Sequence, residues 1–371
     1  MNVTAVKTPK ERAAFIELPY QFYRNDPMWV EPLRSEQKAL FDEERNPFLQ
    51  HCKHQLFLLM DGEKTVGRVA ALVDTLANDY WGQPVGLFGH YECPDDPAAS
   101  RLLLDSARGW LLEQGMPSMR GPWSFTSQEW GAVVEGFSPE PVVMAPYNPP
   151  YYNDHFLAYG MQKTKDLLVY LIDVRKGYQI PNRILELTDK VAERYKVHVR
   201  PMEMKNLERE IEIINELSNA SLEHNWGYAP VTDAEVRGMV HDLKQIVNPK
   251  AVLFAEDENN RPIGFAICIP DINQIIKGMR GRLLPFGWIR LLWKLPRLKR
   301  YRMFALGMLP EYHGKGVDSL LYRALYERMC TPDLVLEINY VLEDNGPMNN
   351  AILKLGAEPM RRYRIYETPI Q

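Results

Sequence analysis

The sequence predicts a mixed α/β protein, an α+β fold built around a mixed sheet, made of two tandem copies of one unit. Three repeated features support this. Each half contains a β-hairpin, each continues through an apolar strand and a loop into a helix, and each ends with a glycine-capped helix that leads into a final strand. Self-similarity of this kind indicates duplicated units. The 371 residues suffice for two domains of ordinary size.

The hairpins are the clearest local elements. Asp61-Gly62 in the first half and the turn at 258–261 in the second are typical of hairpin connections between β-rich segments. The predicted strands are 55–60 with 65–73, and 251–255 with 263–269. Helical sequence precedes each hairpin, at 10–24 in the first half and at 207–222 and 233–246 in the second.

The middle and the end of each half also correspond. An apolar strand at 85–91 leads through a Pro- and Asp-rich loop to a helix at 98–114, and a strand at 303–308 leads through 309–316 to a helix at 317–329. Gly160 and Gly356 then cap the closing helices. We therefore predict an N-terminal domain at 1–173 and a C-terminal domain at 183–371, with a linker that contains Gly177 and Pro181.

Composition excludes several classes of protein. The net charge of −4 gives no case for nucleic-acid binding. The four cysteines have no metal-ligand spacing, so we predict no metal site and reduced thiols, as in a cytoplasmic protein. The first residues carry charges where a signal peptide would need an apolar segment, and no segment approaches the length of a membrane span.

A segment at 275–302 interrupts the second unit and is named the insert here. Residues 272–310 contain no acidic residue but nine Lys or Arg, and the insert interleaves these with Leu, Phe and Trp. A cationic amphipathic segment of this length fits the surface of an anionic membrane, here the inner membrane, or the cover of an apolar groove. The alternative is a basic loop and helix that pack on their own domain.

The sharpest signal for a ligand site is the loop before the helix at 317–329. Gly314 and Gly316 allow the backbone to approach a ligand closely. The first N–H groups of a helix lack intrahelical partners and, together with the helix dipole, bind anions such as a diphosphate. His313 and Lys315 add positive charge.

The loop with its surroundings, Leu309-Pro-Glu-Tyr-His-Gly-Lys-Gly-Val-Asp-Ser, resembles the diphosphate loop of the Gcn5-related N-acetyltransferase (GNAT) superfamily. The resemblance covers 198–371 and, more weakly, 1–173. It implies coenzyme A or acyl-CoA as co-substrate, with the pantetheine arm lying between the strand at 303–308 and the strand at 334–342, which separate from each other. The cofactor-binding residues that it implies are Leu306, Met308, Leu309, His313, Gly314, Lys315, Gly316, Val317 and Asn345.

This sequence departs from the family pattern at three positions. His313 stands where Arg or Gln is usual, Asp318 stands where a small residue is usual, and Ile352 stands where the family often has a general-acid tyrosine. Asp318 introduces a carboxylate beside the expected phosphates. The first unit has Pro94-Asp-Asp-Pro at the corresponding place, with no glycine, so we expect no diphosphate there.

Three residues are candidates for acid–base catalysis. Glu337 lies on the strand next to the expected thioester and could deprotonate the amine, or it could be a paired structural carboxylate. His224 could act as a base, although such a histidine is more often a structural hydrogen-bonder. Glu92, at the end of a strand in the first half, is a second candidate carboxylate.

Two segments are candidates for the acceptor pocket. The segment joining the first two helices of the second unit shapes the acceptor site in the GNAT family, and here it offers Trp226 and Tyr228. In the first half, a long Gly- and aromatic-rich loop at 121–131 offers Trp123 and Glu129. Packing at a domain interface is the alternative for that loop.

The overall layout also resembles the bacterial ceramide synthases, which N-acylate a sphingoid amine with long-chain acyl-CoA. The resemblance rests on the Gly121-Pro122 loop, on Asn225-Trp-Gly and on the closing Arg362-Tyr-Arg-Ile-Tyr-Glu. It implies an acyltransferase for a lipid amine. Two alternatives remain open, namely an acetyltransferase for a small amine or amino acid, and a non-catalytic scaffold that binds acyl-CoA.

Overall fold

The computed structural model describes residues 1–126 and 129–370. The chain forms two compact units. Unit 1 comprises Met1–Leu167, Ile276–Ile289 and Arg361–Gln371, and unit 2 comprises Leu168–Ile275 and Arg290–Met360. These units do not follow the two halves of the sequence, because the last eleven residues belong to unit 1, as does the first part of the insert.

The strands of unit 1 are β1 (Asn2–Ala5), β2 (Cys52–Asp61), β3 (Lys64–Asp74), β4 (Gly86–Glu92), β5 (Ser118–Gly121) and β6 (Ala132–Glu135), with parts of β7 (Gln162–Asp173) and β13 (Glu358–Pro369). They form a mixed sheet with the strand order β1-β2-β3-β4-β5-β13, and β6 also pairs with β13. The helices of unit 1 are α1 (Pro9–Phe22), α2 (Arg34–Leu40), α3 (Thr75–Trp81), α4 (Pro97–Glu113) and α5 (Tyr151–Tyr159). The hairpin predicted around Asp61-Gly62 is confirmed.

Helix α4 shows why the sequence folds as it does locally. Asp96 caps its first turn by accepting a hydrogen bond from the Ala98 N–H at 2.9 Å, and Pro97 occupies the first helical position. Leu103, Leu104 and Leu111 are fully buried and pack in the core of unit 1 with Phe88 of β4. The helix therefore covers one face of the sheet.

Besides part of β7, the strands of unit 2 are β8 (His198–Pro201), β9 (Val252–Glu256), β10 (Pro262–Pro270), β11 (Arg300–Met308) and β12 (Val335–Leu342). Their order in the sheet is β7-β12-β11-β10-β9-β8. The helices of unit 2 are α6 (Asn182–Tyr195), α7 (Leu207–Leu222), α8 (Asp233–Leu243), α9 (Asn273–Ile276), α11 (Asp318–Met329) and α12 (Gly346–Lys354), while α10 (Gly287–Lys294) lies in the insert. Strands β8 to β11 are antiparallel, whereas β11 and β12 are parallel. The second predicted hairpin is confirmed as β9 and β10.

The first part of the insert is anchored in unit 1. Ile276 is buried in a small cluster with Val30 and Leu33, and the Arg34 N–H donates to the carbonyl oxygen of Gly281 at 2.9 Å. Lys277 pairs with Glu140 at 3.2 Å. We expected the insert to belong wholly to the C-terminal domain, but apolar contacts with the segment after α1 hold its first part in unit 1.

The middle of the insert, residues 284–293, exposes most of its side chains to solvent. Its exposed large apolar side chains are Leu284, Phe286, Trp288, Ile289, Leu292 and Trp293. Arg300 and Arg302, which the sequence places at its basic end, are instead buried residues of β11. Within the described residues, every helix is too short or too polar to cross a bilayer.

Candidate active site

Strands β11 and β12 separate in unit 2. Their parallel ladder joins Arg300–Met303 to Val335–Ile338, and no further pair between them is present in the described chain. On its other side β11 stays paired with β10, and the register shifts between Ile267 and Cys268, which leaves Phe304 as a bulge. The separation that the family resemblance implied is thus confirmed, and the space beyond Met303 and Ile338 is named the gap here.

The free edge of β11 faces the gap. The Leu309 N–H donates to the Ile263 carbonyl oxygen at 2.9 Å, which makes these two residues a hydrogen-bonded antiparallel pair. Because such pairs alternate along a ladder, Gly307 also bonds toward β10, whereas the N–H groups of Leu306 and Met308 point toward the gap. An extended amide-containing ligand can therefore bond to this edge as an added strand would.

The loop after β11 presents free amides. Gly314 and Gly316 have φ angles of 69° and 74°, in the left-handed region that favours glycine. The N–H groups of Gly314, Gly316, Val317 and Asp318 donate to no backbone or side-chain acceptor in the part of the chain that the structure describes. Helix α11 begins at Asp318. This is the arrangement of an anion site at a helix N-terminus.

The two basic residues of the loop have different positions. The His313 Nε2 donates to the Met308 carbonyl oxygen at 2.8 Å, so this ring ties the loop to the edge of β11. The Lys315 ammonium is exposed and lies 5.6 Å and 5.3 Å from the ring centres of Tyr195 and Tyr312. Lys315 can turn toward a phosphate, whereas His313 already has a partner.

Asp318 is the first residue of α11, and Tyr322 lies one turn further along the helix. The Tyr322 hydroxyl donates to Met348 Sδ at 3.5 Å. Burial, followed by the charge of the nearby Asp318 carboxylate, raises the pKa of Tyr322 well above its ordinary value.

Glu337 lies on β12 and is fully buried. Its Oε2 accepts from the Arg300 guanidinium at 3.1 Å, and its Oε1 accepts from the Asn339 amide at 3.2 Å. Arg300 also lies 3.5 Å from Asp271. The sequence left open whether Glu337 is a base or a paired carboxylate. In the structure Glu337 is a paired carboxylate. Each of its two oxygens already accepts a hydrogen bond, so a proton taken from the amine would bind to an oxygen that has a partner.

The structure does not bring His224 together with Glu337. The His224 side chain is 89% exposed and its Nε2 lies 3.5 Å from Glu223, whereas Glu337 is fully buried. Trp226 and Tyr228 are half-buried after α7, and the Tyr228 hydroxyl donates to Asn219. A general base has to lie within hydrogen-bond reach of the proton that it takes, whereas the exposed His224 ring lies beside Glu223.

Asn345 has a local structural role. Its side chain caps α12 by accepting from the Met348 N–H at 3.2 Å. Ile352, at the position of the family tyrosine, is buried in the core of unit 2. No hydroxyl can act from that position.

The remaining candidates lie in unit 1. Glu92 forms an ion pair with Arg68, which also donates to the Phe15 carbonyl oxygen at 2.7 Å. Trp123 is buried and stacks on Trp130 with ring centres 4.6 Å apart. Glu129 is half-buried and its carbonyl oxygen accepts from the Ser124 N–H. Ser127 and Gln128 of the same loop lie outside the described residues.

Sequence reasoning missed a buried polar group on the sheet of unit 2. Its members are Asp271, Arg300, Arg302, Glu337 and Asn339. The arginines were read as part of the basic insert. Their spacing of two residues within an otherwise apolar strand was the available signal, because alternate residues of a strand share one face.

Comparison with known proteins agrees with this geometry. No family model matches the sequence. The chain is 33% identical over 365 residues to Protein YghO of Escherichia coli, covering 96% of this chain and 92% of that protein. It is 32% identical over 383 residues to the bacterial ceramide synthase of Caulobacter vibrioides, covering 99% and 97%.

The fold also matches solved structures. A tandem GNAT protein from the clavulanic acid biosynthesis pathway superposes with a TM-score of 0.55 at 12% identity, covering all of this chain and 98% of that chain. A GNAT from Sphaerobacter thermophilus gives 0.51 at 12% identity, covering all of this chain and 96% of that one. The chain has the fold of tandem GNAT proteins, and it is an acyl-transferring enzyme of the family that includes the bacterial ceramide synthase.

Proposed function

We propose that this enzyme transfers a long-chain acyl group from acyl-CoA to the amine of a lipid such as a sphingoid base. The observation that carries the proposal is the free edge of β11 beside the free amides that open α11. The N–H groups of Leu306 and Met308 would hold the pantetheine arm. The amides of Gly314, Gly316 and Val317 would hold the diphosphate.

The reaction follows from this placement. The neutral amine attacks the thioester carbonyl carbon, the C–N bond forms, the C–S bond breaks, and CoA leaves as the thiolate. The proton lost from the amine passes to a base, directly or through water. We assign that role to Glu337, which lies on β12, one residue before the end of the ladder with β11.

Two observations support a lipid acceptor. One is the 32% identity with a protein named as a bacterial ceramide synthase. The other is the insert, whose exposed Phe286, Trp288 and Trp293 stand in a segment without acidic residues. A lipid amine has to be collected from a bilayer, and an exposed cationic segment rich in Trp would bind an anionic membrane surface.

A thiol-release assay tests the proposal. Wild-type protein is mixed with palmitoyl-CoA or acetyl-CoA and with sphinganine, a small amine or no amine, and the product is identified by mass spectrometry. We expect CoA release and an N-acylated product only with palmitoyl-CoA and sphinganine. Gly316→Glu is the matched control, because its side chain would occupy the anion site and should abolish turnover.

Two other results would contradict the proposal. Preferred turnover of acetyl-CoA with a small amine would favour the small-amine acetyltransferase. CoA binding without thiol release for any amine would favour a non-catalytic scaffold.

A further inference from the structure

Among the described residues of unit 2, Asn339 Oδ1, Ser221 Oγ and Thr331 Oγ1 are buried oxygens without a hydrogen-bond partner. The first two, the amide oxygen of Asn339 and the hydroxyl oxygen of Ser221, belong to residues at the gap. A buried polar atom without a partner costs about 1–3 kcal/mol of folding free energy, so such atoms are uncommon in native proteins. These two flank the gap between β11 and β12.

Asn339 is the first residue of β12 beyond the ladder with β11, whose last pair is Met303 with Ile338. The residue is 4% exposed. Its Nδ2 donates to the Glu337 carboxylate at 3.2 Å, and this fixes the amide orientation, because a carboxylate can only accept. Oδ1 is therefore an acceptor that lies beside Glu337 where the gap opens.

Ser221 lies in the last turn of α7 and packs against β11 at Gly307. A Cβ atom at position 307 would lie 2.2 Å from Ser221 Oγ, so only glycine permits this approach. A serine in a helix can donate to the carbonyl oxygen one turn earlier, but this hydroxyl does not. The hydroxyl therefore lies against β11. One edge of β11 is paired with β10, and the other edge faces the gap.

Both atoms lie on the same face of the sheet. Met303, Leu336 and Ile338 line an apolar cavity together with Tyr322 and Leu325 of α11. Since side chains alternate along a strand, Glu337 and Asn339 lie on the opposite face.

On β11, the bulge at Phe304 shifts this alternation by one residue. Ala305 pairs with Ile267, whereas Met303 pairs with Cys268, and Gly307 then faces Ser221 of α7. The α7 face thus carries one unsatisfied atom on each side of the gap.

We propose that these two atoms bind the reacting groups. The proposal rests on the acyl transfer proposed above. Asn339 Oδ1 accepts a hydrogen bond from the N–H of the acceptor amine. The Ser221 hydroxyl donates to the thioester carbonyl oxygen as that oxygen gains negative charge.

No proton is transferred by either residue. The amine nitrogen bonds to the carbonyl carbon, the π electrons move to the oxygen that Ser221 contacts, and they return as the C–S bond breaks and CoA thiolate leaves. The amine proton goes to Glu337. A hydrogen-bond donor placed where negative charge develops in the transition state raises kcat about 10²–10³-fold. Ser221 would therefore act mainly on kcat.

Ser221→Ala tests the first half of the proposal. Because the hydroxyl has no partner in the free protein, its removal should not lower the melting temperature. We expect kcat to fall about 100-fold with the KM for acyl-CoA unchanged. Thr331→Val is the matched control, because the Thr331 hydroxyl is also buried and unpartnered but lies before β12, away from the gap. It should keep wild-type kcat.

Asn339→Leu tests the second half. We expect the KM for the amine to rise at least 10-fold while the calorimetric affinity for CoA stays at the wild-type value. If Asn339 had a purely structural role, the variant would have a lower melting temperature and would bind both the amine and CoA more weakly. Wild-type kinetics in both Ser221→Ala and Asn339→Leu would overturn the inference. Absence of turnover in the wild type itself would instead contradict the proposed function.

Discussion

The Trp123 N–H donates a hydrogen bond to the Phe88 carbonyl oxygen at 2.7 Å, just beyond the end of the ladder between β4 and β5. That ladder joins Gly86 to Met119 and Leu87 to Arg120. In unit 1, the chain that continues β5 therefore stays bonded to the edge of β4 beyond the ladder. In unit 2 the corresponding edge of β11 is free, and this difference explains why we propose acyl-CoA binding in unit 2 alone.

The close packing of Trp123 on β4 should make Gly89 intolerant of a side chain. A Cβ atom at Gly89 would lie 1.6 Å from the Trp123 carbonyl oxygen. Because backbone atoms cannot move aside cheaply, we expect Gly89→Ala to lower the free energy of unfolding by about 3 kcal/mol in chemical denaturation. Gly109→Ala, in open space on α4, should raise it by about 1 kcal/mol. Equal stability of Gly89→Ala and the wild type would refute this packing.

The stability of the protein should fall below about pH 6.5, the ordinary pKa of histidine. His90 packs between Phe41 and Phe125, and its Nε2 accepts from the Phe125 N–H at 3.3 Å. Burial, with a smaller effect of Arg68, holds the pKa of His90 well below its ordinary value. The unfolded chain therefore takes up a proton as the pH falls through that ordinary value while the folded ring stays neutral, so acid favours unfolding.

His90→Asn removes this titrating group, and asparagine tolerates the φ angle of 46° at this position. Thermal melts between pH 8 and pH 5 should show a shallower loss of Tm in the variant. Some slope should remain, because burial also lowers the pKa of His54 and of His155. If Tm fell with pH equally steeply in the wild type and the variant, His90 would be protonated in the folded state as it is in the unfolded chain.

The insert should bind anionic membranes. In liposome flotation we expect wild-type protein to float with vesicles of phosphatidylcholine and phosphatidylglycerol, but not with phosphatidylcholine alone, and added salt should weaken the binding. Replacing Trp288 and Trp293 by Ser should abolish flotation. Leu157→Ser, at a residue of α5 that is 54% exposed, is the matched control and should float as the wild type does. Flotation of the double Trp variant would contradict the role of the insert.

Glu337→Gln should lower turnover much more than cofactor binding. The glutamine keeps the shape of the side chain but cannot take the proton of the amine. We expect kcat to fall about 100-fold or more while the calorimetric affinity for CoA changes little. A melting curve checks the fold, because Arg300 loses one anionic partner and keeps Asp271. Wild-type kcat in this variant would remove Glu337 from the mechanism.

Local sequence signals predicted most of the elements correctly. The turn at Asp61-Gly62, the glycine caps at Gly160 and Gly356 and the Gly314–Gly316 loop each depend on a few neighbouring residues, and each appears in the structure. Such features follow from backbone sterics and from the hydrogen-bonding needs of helix ends.

Features that depend on distant parts of the chain could not be predicted in this way. That β13 pairs with β5 and β6 of unit 1 is a property of the tertiary fold, and so is the contact of Trp123 with Phe88. Arg300 and Arg302 looked like surface charges because nothing in the neighbouring sequence reveals the carboxylates of Asp271 and Glu337 that lie beside them.

The central claim is that the edge of β11 and the amides opening α11 hold acyl-CoA, and a crystal structure of the protein with bound CoA tests it most directly. We expect the diphosphate on the N–H groups of Gly314, Gly316 and Val317, and the pantetheine arm in the gap, bonded to the backbone of Leu306 and Met308. CoA bound along β4 of unit 1, or a gap that β12 closes by pairing with β11 up to Met308, would contradict the account.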